Sequence, residues 1–202
     1  MIKNILSLSF CALMLLGCFP NILKQPAPKI NYYYITVGEP FKMPSKKVAI
    51  TIKNCNVAPS YDRAALVYID KDGKGGLYKN HEWLTHISDL ITEHIVRSFR
   101  NSDSFKAILS YAETIFIKYE LSISIDEFGE YRDGTSTWSK ISGSATLIEN
   151  PINNPNVLFQ NNFSEKIEVN NSDVSQIVIG LNTILNNVVS NIIIETWNAV
   201  PE

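Results

Sequence analysis

No two cysteines in the body of this chain are free to pair. Cys11 lies inside an apolar leader, Cys18 ends that leader, and Cys55 stands alone in an apolar run. The fold must therefore hold without disulfide staples, and Cys55 reads as a buried structural thiol. Histidine is as scarce: His81, His86 and His94 fall in one short region, and none is followed by a second histidine at i+4, as a helical zinc pair needs. Glu82, His86, Asp89 and Glu93 read instead as a solvated helix face, with His94 on the apolar side. There is no basic excess, since the net charge is −2 and loss of Lys3 with the leader makes it one unit more negative. That excludes a nucleic-acid face.

Nucleophile and phosphate motifs are absent too. There is no Gly-x-Ser-x-Gly elbow and no strand–GxxxxGK[ST]–helix order. The stretch Asp70-Lys71-Asp72-Gly73-Lys74-Gly75-Gly76 begins like a calcium loop. Lys74, however, stands where an oxygen ligand is needed, and His81 where the bidentate glutamate should be, so the stretch reads as a solvated turn. Asp126-Glu127, beside Gly129, reads as an ordinary turn at a strand end. No metal and no cofactor is expected, and the chain is read as non-enzymatic.

What is present begins with the leader. Lys3 precedes an apolar run from Ile5 to Leu16 that closes on Leu15-Leu16-Gly17-Cys18. The run is short for a membrane span and has the length of a signal-peptide core. A Leu, a spacer, a small residue and then Cys is the pattern bacterial lipoprotein peptidases read. Residues 1–17 are therefore expected to be removed and Cys18 lipidated, anchoring the chain to a membrane on its periplasmic side. Phe19 follows Cys18, where Asp is the common inner-membrane retention signal in enteric bacteria, so the rule sorts the anchor to the outer membrane.

Residues 18–31, with Pro20, Pro26 and Pro28, read as a lipidated tether, and residues 32–202 as one domain. Strands are expected at Tyr32–Val37, about 47–57, Leu66–Ile69, 107–109, 114–126, 136–149 and 157–169. Asn80 is a plausible N-cap for a first helix that carries Trp83, Ile87, Leu90, Ile91, His94, Ile95 and Phe99 on one stripe and ends near Asn101. Ser172 opens a second, whose stripe is Val174, Ile177, Val178, Leu181, Ile184, Leu185, Val188, Ile192 and Trp197. The expected fold is α+β: a two-layer sandwich with a mostly antiparallel sheet and both helices on one face. Tyr61-Asp62-Arg63 combines an aromatic anchor with a charge pair in a loop between strands, and is the candidate partner-binding site.

The order of these residues resembles the ABC-type transport auxiliary lipoproteins, a group that includes the paraquat-inducible lipoprotein. The resemblance rests on the lipobox, Tyr33-Tyr34, Tyr61-Asp62-Arg63, Leu66-Val67-Tyr68, Trp83 and Phe128, across roughly residues 31–198. Ala64 stands where the family usually has Pro, and Ile, Val and Asn replace many alanines of its last helix. The resemblance implies an accessory of an MCE-type intermembrane lipid transport system, docking on the MCE-domain substrate-binding protein of a lipid ABC transporter. The alternative is a lipoprotein that assembles outer-membrane components such as lipopolysaccharide. Oligomeric state, a homo-oligomer included, stays open.

Overall fold

The computed structural model describes residues 28–39, 42–110, 118–169 and 173–201. The leader, Cys18 and the tether up to residue 27 lie outside the described residues, as do Ser172 and the expected strand start at Thr114. Among the described residues are nine strands and two helices, in the order β1 (Asn31–Tyr33), β2 (Lys46–Ile52), β3 (Asn56–Val57), β4 (Ala65–Asp70), β5 (Gly75–Trp83), α1 (Ile87–Asn101), β6 (Phe105–Ser110), β7 (Tyr119–Arg132), β8 (Thr137–Glu149), β9 (Asn156–Val169) and α2 (Val174–Ala199).

The fold is α+β, but its sheet is mixed rather than mostly antiparallel. β7 is its spine. One edge of β7 takes β8 antiparallel from Tyr119↔Glu149 to Arg132↔Thr137. The other edge is shared by β2 at Glu120-Leu121, β3 at Ser124-Ile125 and β4 at Glu130–Arg132, all parallel to it. The reason is topological: the chain returns through α1 and β6 before entering β7, and a helical crossover delivers a parallel strand where a tight hairpin delivers an antiparallel one. β6 is parallel to β2, β5 antiparallel to β4, β1 parallel to β5 and β9 antiparallel to β8.

Three further expectations are corrected. The first helix begins at Ile87, not near Asn80. Asn80 adopts a positive φ of 60° inside β5, and Trp83 ends that strand, its ring 5.7 Å from Phe128. Asp126-Glu127 is not a turn: the register slips there as a bulge and β7 continues to Arg132. The first strand stops at Tyr33, because the next peptide groups bond to helix side chains, as described below.

Inward positions of β7 and β8 alternate with outward ones, burying Leu121, Ile123, Ile125, Phe128, Ile141, Ala145 and Leu147. α2 lies across β7, β8 and β9 and buries Ile177, Leu181, Ile184, Leu185, Val188 and Ile192. It comes close to β8 at Gly180, where a Cβ would collide with Ser139 Oγ. That hydroxyl instead donates to the Ile177 carbonyl, 2.9 Å away. The Asp173 carboxylate caps the helix through the Ser175 amide at 2.9 Å. At its far end Lys46 places its ammonium 4.3 Å from the Trp197 ring and donates to the Val200 carbonyl, a cation where the helix dipole favours one.

Candidate functional site

The turn holding the three candidate partner-binding residues is braced by backbone hydrogen bonds. Ala58 N–H donates to the Ile125 carbonyl at 2.8 Å, the Tyr61 and Asp62 amides both return to the Ala58 carbonyl, and Arg63 N–H bonds to Tyr61 O at 2.8 Å. The structure gives its members separate tasks. Tyr61 is buried at 8 % exposure, so its ring packs in the core rather than standing out as an anchor. Burial, with the Glu127 charge adding, pushes its hydroxyl up to about 12. Asp62 turns to α1, which has no side-chain cap of its own at His86. The Asp62 carboxylate accepts the Ser88 amide at 3.3 Å and lies 3.8 Å from His86 Nδ1. It thus serves as a remote cap, a negative charge at the positive end of a helix. Arg63 donates to the Pro59 carbonyl at 3.0 Å, and its Nε is buried with no acceptor.

A second constellation, on the core-facing side of β1, β5, β4 and β7, was not singled out in the sequence. Tyr33 stacks on His81 at 5.8 Å and its hydroxyl meets His81 Nδ1 at 2.8 Å. Tyr78 meets His81 edge-on at 6.1 Å and Tyr68 at 5.5 Å. Arg132 lies over the Tyr68 ring at 4.2 Å and donates to Glu130 and to the Tyr78 hydroxyl. Glu130 is 4 % exposed and also accepts the Tyr78 hydroxyl. Its charge is buried but fully partnered, as a buried carboxylate must be. Burial first, then the Glu130 hydrogen bond, pushes the Tyr78 hydroxyl up to about 12; the hydrogen bond that Arg132 donates to Glu130 raises the guanidinium above its ordinary value. The i, i+2 placement of Glu130 and Arg132 on one strand face was a readable signal.

The segment after β1 forms a strap over the helices. Ile35 is buried at 2 % exposure. The Thr36 and Gly38 amides donate to the side chains of Asn182 and Asn186 on α2 at 2.7 and 2.6 Å, and Asn186 Nδ2 returns to the Thr36 carbonyl at 3.2 Å. Tyr34 ties the strap to α1 through Glu93 at 2.8 Å. Beneath this region, His94 is 2 % exposed with both ring nitrogens unpartnered, and burial, with Arg97 adding, pulls it down to about 4.

The rejected calcium stretch is the β4–β5 hairpin turn. Asp70 there spends its carboxylate on the Asp72 and Lys74 amides, and Gly73 takes a positive φ of 76°. Among the described residues no group of three or more His, Cys, Asp or Glu could hold a metal ion. Cys55 is 5 % exposed and burial pushes its thiol up to about 12. Burial also pushes the Glu127 carboxyl up, but hydrogen bonds from Lys140 and Ser142 outweigh it and hold the group below its usual range. The clefts beside the helices are open, one of about 490 Å³ between β9 and α2 and another of about 420 Å³ over α1 beside Asn54 and Arg97.

Comparison with known proteins gives one family and one fold. A family model for the ABC-type transport auxiliary lipoprotein component matches residues 36–193. No curated protein matches the sequence. A crystal structure of a Xanthomonas campestris protein, assigned to the family model DUF330, superposes with a TM-score of 0.73 at 17 % identity, covering 84 % of this chain and 96 % of that one. An uncharacterized protein superposes at 0.66 and 14 % identity, covering 84 % and 99 %. A hypothetical protein from Chlamydia trachomatis does so at 0.50 and 10 %, covering 75 % and 98 %. At these identities the likeness shows the fold alone.

Proposed function

Because the chain belongs to the ABC-type transport auxiliary lipoprotein family, whose members are lipoproteins of the cell envelope, we propose that it serves an MCE-type lipid ABC transporter. Held by acyl chains on Cys18 and facing the periplasm, it docks on the MCE-domain substrate-binding component, with ATP hydrolysis left to a separate subunit. The family match from the strap through α2 carries this reading.

The groups that could do chemistry support a binding role rather than a catalytic one. Asp62 is committed to a helix end, Glu130 to Arg132 and Tyr78, and the Cys55 thiol is buried. Phe19 after Cys18 favours the outer membrane. Arg63 is the contact assigned to the partner: its guanidinium sits on a turn braced by the Ala58, Tyr61, Asp62 and Arg63 amides, and a fork of donors suits a partner carboxylate.

The test is capture of the MCE-domain protein by the full lipidated chain in detergent, with Arg63→Ala beside the wild type and a thermal melt of each. Lost capture with an unchanged melt supports the contact. Full capture by the variant removes Arg63 from the interface, and no capture by wild type removes the proposed partner.

A further inference from the structure

Exposed apolar side chains gather where the tether joins the domain. Among the described residues, Ile30, Tyr32, Leu77 and Leu84 are 36, 58, 48 and 62 % exposed. The strand alternation places them together on one face. Tyr33 and Trp83 point to the core side, where Trp83 meets Phe128. Tyr32 and Leu84, each one residue along, therefore point to the opposite side, as does Ile30. Tyr32 pairs with Glu82 and the Leu84 amide bonds to the Tyr33 carbonyl at 2.8 Å, so these side chains are neighbours. Leu77, beside Tyr78 of the core-side cluster and paired with Val67, extends the same face along β5.

The sequence between this patch and Cys18 matches it. No acidic residue precedes Glu39, while Lys24 and Lys29 supply positive charge and Phe19, Ile22 and Leu23 supply apolar bulk. The chain from Cys18 to Ile30 reaches at most about 40 Å when fully extended. A patch so tethered cannot move far from the surface that holds the acyl chains.

We infer that the outer face of the β1–β5 edge, centred on Tyr32 and Leu84, rests on the surface of the membrane that anchors the chain. The inference rests on the reading that Cys18 is lipidated. Tyrosine suits this position because its ring is apolar and its hydroxyl wet, the combination enriched at headgroup depth. Lys29, beside the patch, adds a positive charge that suits anionic headgroups. Glu82, half-buried between Tyr32 and Ala65, is an opposing charge placed on this face by the pairing. The result is an oriented domain: the β8–β9 turn, with Ile152 at 73 % exposure, serves as the comparison site away from the bilayer.

The experiment uses the full lipidated chain in vesicles of phosphatidylethanolamine with a minor share of phosphatidylglycerol. Nitroxide labels are placed by Tyr32→Cys, Leu84→Cys and Ile152→Cys in separate proteins; buried Cys55 takes no label, which the protein without an introduced cysteine checks. Flotation reports the anchor, and the ratio of oxygen to nickel-chelate accessibility reports depth. The expected result is a ratio severalfold higher at positions 32 and 84 than at 152. Water-like ratios at all three positions in protein that floats overturn the patch while leaving the anchor intact; that is also the outcome if the patch serves a protein partner. Membrane-like ratios at all three overturn the orientation. Protein that stays in the dense fraction refutes the anchor and the patch together.

Discussion

Removing both asparagine side chains that hold the strap, by Asn182→Ala with Asn186→Ala, should free residues 36–38 without unfolding the sheet. Four hydrogen bonds are lost: the Thr36 and Gly38 amides at 2.7 and 2.6 Å, the Thr36 hydroxyl at 3.3 Å and the Thr36 carbonyl at 3.2 Å. Each contributes about 0.5–1.5 kcal/mol net, and the lower end applies because these backbone groups are exposed and water replaces the lost partner. The sum is about 1–2 kcal/mol, and at about 2–4 °C per kcal/mol for a domain of this size the melt falls by roughly 2–8 °C. Ile35→Ala removes the buried anchor of the same segment and should cost more, about 2–5 kcal/mol. Amide hydrogen exchange is the direct assay. In the double variant Thr36 and Gly38 should exchange near the open-chain rate while amides of β7 and β8 keep their protection. Retained protection at Thr36 and Gly38 would refute the asparagine latch.

Leu181, 1 % exposed, faces the sheet from α2, so Leu181→Asp should destabilise by at least about 4 kcal/mol in denaturant titration; an unchanged midpoint contradicts that packing. His94 is held down to about 4 in the fold against 6.5 in the open chain. The folded state thus takes up its proton later, and the stability present above pH 6.5 is lost as pH falls through 4, by up to about 3 kcal/mol. His94→Leu should flatten the melting temperature between pH 7 and 5; an equal decline in variant and wild type counts against His94 as the cause. Cys18→Ser should abolish incorporation of a clickable fatty acid, since serine lacks the thiol that accepts diacylglycerol, and equal label on both proteins excludes Cys18 as the lipid site.

Local pattern carried much of the fold. The apolar stripe of α2 is buried from Val174 to Ile192, and the alternation through Leu121, Ile123 and Ile125 is the inner face of β7. What local pattern could not carry was pairing between distant segments. β2 and β3 read as one strand over about 47–57, which the structure divides, and β4 as the next; their parallel alignment along one edge of β7 depends on where α1 returns the chain. Asn80 shows a local ambiguity: asparagine favours both helix caps and positive φ, and here the second holds. Trp83 fell on the helical stripe by spacing while belonging to a strand end. The candidate motif Tyr61-Asp62-Arg63 was legible as a cluster in sequence, yet Asp62 reaches Ser88 and Tyr61 reaches Gly129, contacts that no spacing rule contains. Asn182 and Asn186, four apart on a helix, carried a signal only in hindsight, since their partner lies 146 or more residues earlier.

The place of β7 in the chain sets a schedule for folding. Three strands laid on its edge are finished by Asp70, yet their template is complete only at Arg132. Those two residues are 62 apart, so in a chain exported N-terminus first the three edges emerge before their template. The β4–β5 hairpin can close early, and β2 can find β6, but the edges meant for β7 stay open until it emerges. Open edges recruit other strands, so this interval is the period of greatest aggregation risk. A chaperone that shields extended chain would act on residues 46–70 before any other part of the domain.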